Sequence, residues 1–402
     1  MSCVHSIAFL KNAVQPYAWG STTAIPRLLG IPNPTDAPQA ELWMGAHPKA
    51  PSLVETENGW MPLDALIRSR PDEVLGPRVA ADFDRMLPFL FKVLAAAKPL
   101  SLQAHPGRER AREGFERENR SGLSMDAPQR NYRDPHHKPE CVCALTPFSV
   151  LCGFRPPAEV LEKLRALCPR ELRVEIAAFS AHCTAAGLRQ LFGRLLSLDP
   201  RRRRSALAEA VSAATGSRDD ALGWVPLLAG HCPDDIGALA PALMNLLRLE
   251  PGQALFLPEG VLHSYLEGTA IEIMANSDNV VRGGLTPKHI DLPELFKVVA
   301  FDNRDVHRIR TENRDPAETV YLTPAAEFAL SCIHLPAGSS FCSRAERNVE
   351  ILLCVDGKAV ARELAPAGRE VDIARGSCVL VPAAAPAYRL IGPSTLYKAT
   401  VP

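Results

Sequence analysis

The sequence predicts a mainly β protein with a helical segment inserted into it, and three observations carry that prediction. Short apolar segments bounded by proline fill residues 1–155, the pattern of strands punctuated by breakers. Between about residues 157 and 249 the apolar positions switch to helical spacing. From residue 250 the β texture returns and runs to the C-terminus, where a strand-and-turn unit recurs. At 402 residues the chain has room for roughly two to three domains of about 150 residues each.

In order along the chain, residues 100–105 (LSLQAH) and 141–145 (CVCAL) read as strands, and the charge-rich residues 107–119 as a short helix or turn. Residues 158–167, 188–198, 207–214 and 236–249 place apolar side chains on one helical face. The run Arg201 to Arg204 follows Asp199-Pro200 and reads as a solvated loop at a helix start rather than an anion site. Residues 285–299 (LTPKHIDLPELFKVV) read as a loop and a helix. The repeat is Gly252-QALFL-Pro258 against Gly376-SCVLV-Pro382, each a mainly apolar strand of the kind found inside a β-sandwich. The first copy continues to Gly260 and His263; the second has Ala384 and Ala387 there. Two related β units are expected, of which only the first can use the histidine for a metal.

Composition excludes several classes. Lys+Arg and Asp+Glu number 45 each, so the basic excess that grips nucleic acid or an anionic membrane is missing. No apolar run reaches the roughly 18 residues of a membrane span; residues 86–97 come nearest and are broken by Pro88 and Lys92. The first residues, MSCVHSIAFLKN, lack the basic region and apolar length of a secretory leader. A cytoplasmic protein is expected. The 11 cysteines are scattered without a C-x-x-C pair; even Cys141 and Cys143, two apart, are expected to be buried free thiols.

The chemistry-bearing residues fall in three segments. Gln103 and His105 alternate onto one face of a strand. His136-His137-Lys138-Pro139-Glu140 follows, and His263 ends the first copy of the repeat. Gln103, His105, Glu140 and His263 together make a four-ligand nitrogen/oxygen set that zinc accepts. The absence of thiolate from the set argues against a closed structural zinc site. The Gly-x5-Pro-x-Gly-x2-His pattern at residues 252–263 resembles the second motif of the cupin superfamily, which implies a metal-bearing jelly roll. The fold class is therefore mainly β with α: a cupin-like jelly-roll catalytic domain (1–155 and 250–318), an inserted helical domain (156–249), and a second, degenerate C-terminal jelly roll without metal (319–402).

Five motifs sharpen the reading: residues 15–20 (QPYAWG), 41–47 (ELWMGAH), 98–106 (KPLSLQAHP), 132–140 (YRDPHHKPE) and 278–288 (DNVVRGGLTPK). In this order they resemble the type I phosphomannose isomerase family. The resemblance implies one zinc per chain on Gln103, His105, Glu140 and His263, with Arg282 as a catalytic arginine. It implies interconversion of mannose 6-phosphate and fructose 6-phosphate through an enediolate, serving mannose catabolism or GDP-mannose synthesis. A small sugar phosphate is the expected partner, with no nucleic acid and no membrane, and the chain is expected to be a monomer.

Such chemistry moves a proton between C2 and C1 and needs a base, a stabiliser of negative charge and a phosphate site. Lys138 is the first choice for the base, since it shares a strand face with Glu140; Glu272, an acid among apolar neighbours in residues 270–274, is either the competing base or a carboxylate that orients a ligand. His137 is assigned to ring opening or to a supporting hydrogen bond. Ser101, Tyr265 and Lys288 are substrate-binding candidates by shared face or loop position, and residues 276–279 are assigned to turn chemistry. Two other readings stay open on the residues alone: an iron oxygenase built on two His and one carboxylate, and a sugar-phosphate-binding regulator without catalysis.

Overall fold

The protein is described from a computed structural model, which covers residues 5–168, 170–302 and 308–402. Strands dominate and are gathered into two sheets, with the helical insertion running between two neighbouring strands of the first, Phe148–Phe154 and Met244–Leu249. The first, 10-stranded sheet is organised around one 13-residue strand, His263–Ala275. Its C-terminal half pairs with Phe89–Ala96 and Glu140–Ala144, and its N-terminal half with Phe148–Phe154 and Leu102–Ala104. The change of partner occurs around Gly268, where φ is +121° and a Cβ would stand 2.6 Å from the Pro147 carbonyl oxygen. Only glycine fits such a bend. The bend lets one strand serve both faces of a jelly roll, and so brings residues far apart in sequence to one end of it.

The helical insertion supplies the other wall. Helices Pro157–Leu167, Arg173–Ala181, Ala185–Leu196, Pro200–Ala214 and Trp224–His231 share an apolar core with Leu102 and Ala104. Strand alternation then sends Gln103 to the opposite face, away from the helices. The arginine run lies within the first turns of Pro200–Ala214 rather than in a loop. Asp199 caps that helix by accepting from the Arg201 and Arg202 amides, and Arg202 forks onto the Glu175 carboxylate at 3.1 Å on both arms.

Residues 236–249 differ from expectation. A 3-10 turn (Ile236–Leu239) and a short helix (Ala240–Leu243) give way to a strand, Met244–Leu249, paired with Phe148–Phe154. A short apolar run has no decisive period of its own, and the open edge of Phe148–Phe154 draws it into the sheet.

The second, 12-stranded sheet holds the C-terminal strands, among them Glu350–Glu363, Cys378–Val381 and Ser394–Thr400. It also takes up Ala8–Lys11, which pairs with Cys378–Val381, and beyond it Leu53–Thr56 and Gly59–Pro62. The sequence reading had grouped these N-terminal strands with the catalytic part. Periodicity does not report pairing across some 370 residues of chain, as between Ala8 and Leu380. All ten described cysteines are free and six are buried; Cys3 lies outside the described residues. Among the described residues no helix is long and apolar enough to cross a membrane.

The repeat is visible in the backbone. Gly252 and Gly376 both have φ +84°, and each leads into a four-residue strand, Ala254–Leu257 and Cys378–Val381. Their surroundings differ: a Cβ on Gly252 meets nothing within 4 Å, while one on Gly376 would lie 2.6 Å from the Leu28 carbonyl oxygen and 2.9 Å from Leu29 Cα. Gly252→Ala should therefore cost only the left-handed backbone penalty, about 1–2 kcal/mol, and Gly376→Ala clearly more. Denaturant unfolding of the two variants checks this ordering; equal losses would contradict it.

Candidate metal centre and active site

His105, Glu140 and His263 come from three separate segments and meet in the interior, each 2% exposed or less. His105 immediately follows Leu102–Ala104, Glu140 begins its strand, and His263 begins the long strand. Each imidazole Nε2 lies 3.3 Å from a different oxygen of Glu140, and the rings are 5.2 Å apart at their centroids. His105 Nδ1 is 2.7 Å from the Asn279 carbonyl oxygen and His263 Nδ1 is 2.9 Å from that of Val261. A carbonyl only accepts, so both Nδ1 atoms carry the proton and both Nε2 atoms keep a lone pair. Both Nε2 atoms and Glu140 Oε2 are buried without a hydrogen-bond partner. Three acceptors facing one another in a dry pocket repel unless a cation lies between them, which is the donor arrangement of a metal centre. Among the described residues this is the one such His/Cys/Asp/Glu cluster. Gln103 stands in register with His263 on one side and Arg282 on the other.

Protonation states suit ligation. Burial, helped by the Lys138 charge, lowers the His105 pKa to about 4. Burial alone would raise Glu140, but the Lys138 ammonium beside it holds its carboxyl well below the usual range. Lys138 Nζ lies 3.0 Å from Glu140 Oε1. Glu272 is lifted above its ordinary value by burial and by the nearby Glu140 and Glu41 carboxylates, against the pull of Lys92. It accepts from the Tyr265 hydroxyl at 2.9 Å and pairs with Lys92 Nζ at 3.2 Å. Tyr265 is thus buried against Glu272, not open to the cleft.

Arg282 is half-buried and Lys288 exposed. Both are lowered, first by burial and then by neighbouring positive charge: Arg133 acts on both, and Arg282 on Lys288. Ser101 is half-buried beside Gln103. His137 turns from the ligands toward Glu327 and Arg108, at 2.6 and 2.9 Å from its Nε2, and lines a cleft of about 520 Å³ with Arg133, Asp278 and Glu327.

With this geometry in view, the chain was compared with known proteins. The description "Phosphomannose isomerase type I, catalytic domain" matches residues 7–157. The mannose-6-phosphate isomerase of Salmonella typhimurium is 42% identical over 356 residues, which is 88% of this chain and 90% of that protein. The chain belongs to the type I phosphomannose isomerase family. The human mannose-6-phosphate isomerase is 35% identical over 88% of each chain. A solved mannose 6-phosphate isomerase, holo and zinc bound, matches with TM-score 0.92 at 38% identity, covering 98% of this chain and 99% of that one.

Several residues of this family member's site escaped the sequence reading. Lys92, 6% exposed, lies between Glu41 at 3.5 Å and Glu272 at 3.2 Å, and these carboxylates hold it charged against the cost of burial. Its one signal was a lysine inside an otherwise apolar strand, Phe89–Ala96. Arg133 lies inside the motif of residues 132–140, and its signal there is a cation beside the HHKPE segment. Asn279, fully buried, does more than turn chemistry. Its side-chain oxygen accepts from the Arg133 and Asp134 amides, its amide donates to the Asp134 and His136 carbonyls, and its own carbonyl orients His105. It splints the His136–Glu140 segment to the NVVRGG segment.

Two outcomes follow. Asn279→Ala should weaken zinc binding about 10- to 100-fold while leaving a folded protein; competition with a fluorescent chelator measures it. In the zinc-free protein, His105 is lowered from 6.5 to about 4 on folding. The stability this represents is fully present above the unfolded value and is lost as pH falls through about 4, because the unfolded chain binds the proton first. Melting temperature should therefore fall between those pH values, and His105→Asn should flatten the slope.

Proposed function

We propose that the chain is a zinc-dependent isomerase that interconverts mannose 6-phosphate and fructose 6-phosphate. The observation that carries this is the convergence of His105 Nε2, His263 Nε2 and Glu140 Oε2, as bare buried acceptors. His105, His263 and Glu140, completed by Gln103, would hold one zinc. Bound there, the metal supplies Lewis acidity toward the sugar oxygens. The degenerate second β unit, with Ala384 and Ala387, would hold none.

The remaining work falls to the chain's own side chains. Positive charge acts on Arg282 from Arg133, and on Lys288 from Arg282 and Arg133, so a phosphate or an enediolate would relieve like-charge repulsion there. Arg282, nearest Gln103 in register, is assigned to the enediolate, and Lys288 with Arg133 to the phosphate. The proton moves from C2 to C1 by way of a base. Both are ion-paired, Glu272 with Lys92 and Lys138 with Glu140; the arrangement supports Glu272, because a carboxylate is already a proton acceptor and its affinity for a proton is raised above the ordinary value, whereas Lys138 stands as the donor to Glu140. Lys92 keeps Glu272 in place and Lys138 steadies Glu140. His137 serves ring opening, and Ser101 lines the sugar site. Tyr265, read from the sequence as a substrate contact, is assigned to holding Glu272. The domain division at residues 155, 249 and 318, a monomeric state, a cytoplasmic location and a place in mannose catabolism or GDP-mannose synthesis complete the reading.

Isomerase assays with and without chelator, alongside metal analysis, test it: activity should vanish with the metal, and the ratio should be one zinc per chain. Arg282→Ala should lower kcat by on the order of a hundredfold to a thousandfold with little change in KM, because it acts on charge present only in the transition state. Lys288→Ala and Arg133→Ala should instead raise KM. Exchange of the C2 proton with deuterated solvent should be abolished in Glu272→Gln and survive in Lys138→Met; the reverse pattern would return the base to Lys138.

A further inference from the structure

His137 is contacted by a residue from the far end of the chain. Glu327 lies just before the strand Ala329–Leu335, in the C-terminal part, and is 6% exposed. Its Oε1 is 2.6 Å from His137 Nε2 and 2.9 Å from Arg108 Nη2, and Arg108 Nη2 is itself 2.9 Å from His137 Nε2. On the other side of the ring, Nδ1 stands 4.0 Å from Glu259 Oε2. Arg108 opens the helix Arg108–Arg120, three residues after the ligand His105, and Glu259 lies four before the ligand His263.

The hydrogen-bond logic has one consistent solution. An arginine can only donate and a carboxylate can only accept. If Nε2 were a bare acceptor it would face the Glu327 oxygen lone pair to lone pair at 2.6 Å. Nε2 therefore carries a proton and gives it to Glu327, while Arg108 gives its own to the same oxygen. In the neutral ring the remaining lone pair is on Nδ1.

We infer that Glu327 is a positioning residue that fixes His137 as the Nε2–H tautomer, so that Nδ1 is the ring atom left to accept a proton from the substrate. This deepens the role given to His137 above and rests on it. Ring opening of a cyclic sugar phosphate removes the proton of the anomeric hydroxyl, breaks the bond from C1 to the ring oxygen and returns a proton to that oxygen. Nδ1 takes up the first proton and the imidazolium returns one, so no external co-reactant is needed. The C-terminal β unit, without a metal of its own, thereby contributes to the chemistry of the first.

The test uses full-length zinc-loaded protein with nitrogen-15-labelled histidine, at alkaline pH. Two-bond proton–nitrogen correlation spectra distinguish the tautomers, and the His137 signals are assigned by their loss in His137→Gln. The wild-type ring should be protonated on Nε2. In Glu327→Ala the Arg108 donor is left facing Nε2, so the ring should switch to Nδ1–H and kcat/KM should fall about 10- to 100-fold with zinc content unchanged. Glu327→Gln offers a carbonyl that can still accept from Nε2–H; it should keep the wild-type tautomer and recover most of the activity, which a purely electrostatic role would not predict, while the tautomer switch in Glu327→Ala excludes a purely packing one. An unchanged tautomer in Glu327→Ala, or a switched tautomer with wild-type kcat/KM, would overturn the inference. If His137→Gln itself turns over normally, the ring-opening role falls instead, and the spectra still decide whether Glu327 sets the ring.

Discussion

Two imidazole lone pairs and one oxygen of a carboxylate are forced together in the interior without a hydrogen-bond donor between them, and the remainder of the site is arranged around that constraint. Leaving such acceptors bare is expensive. The protein sustains it because each imidazole is held from behind by a backbone carbonyl, and because Lys138 offsets the negative charge of Glu140. Preorganisation of this kind is what a metal requires of its ligands: the right atoms, deprotonated and aimed, before the ion arrives.

Around this centre the buried charges form a coupled set. Three carboxylates, Glu41, Glu140 and Glu272, share two ammonium groups, Lys92 and Lys138. One carboxylate is thereby left with a raised affinity for protons, and it is Glu272, whose remaining partner is the buried Tyr265 hydroxyl. On the other flank Arg133, Arg282 and Lys288 form a cluster of one sign. Environments that push titratable groups apart in this way are characteristic of sites that move protons and bind anions.

The architecture explains how a catalytic constellation can be supported from so many parts of the chain. The strand His263–Ala275 changes partners at Gly268 and carries His263 at one end and Glu272 along its length. The helical insertion buries Leu102 and Ala104, and so turns Gln103 to the other face. The second sheet reaches back through Glu327 to His137.

Much of this was legible in the sequence, and the reason is local. Gln103, His105, Glu140 and His263 stand in short motifs whose spacing follows from strand alternation and a glycine turn, so their chemistry could be read without a fold. The helical texture inserted into the first β part followed from hydrophobic period, the second β unit from a repeated motif, and the repeated glycines share one backbone angle. What the tertiary structure decided is everything that depends on a partner distant in sequence. Met244–Leu249 became a strand because an edge was open to it. Ala8–Lys11 joined the C-terminal sheet through pairing with Cys378–Val381. Lys92 looked like a break in an apolar run until Glu41 and Glu272 closed around it, and Asn279 looked like a turn residue until it bridged two motifs. Period and motif report what a residue prefers; ion pairs, tautomers and strand partners depend on which groups the folded chain brings within about 3 Å of one another.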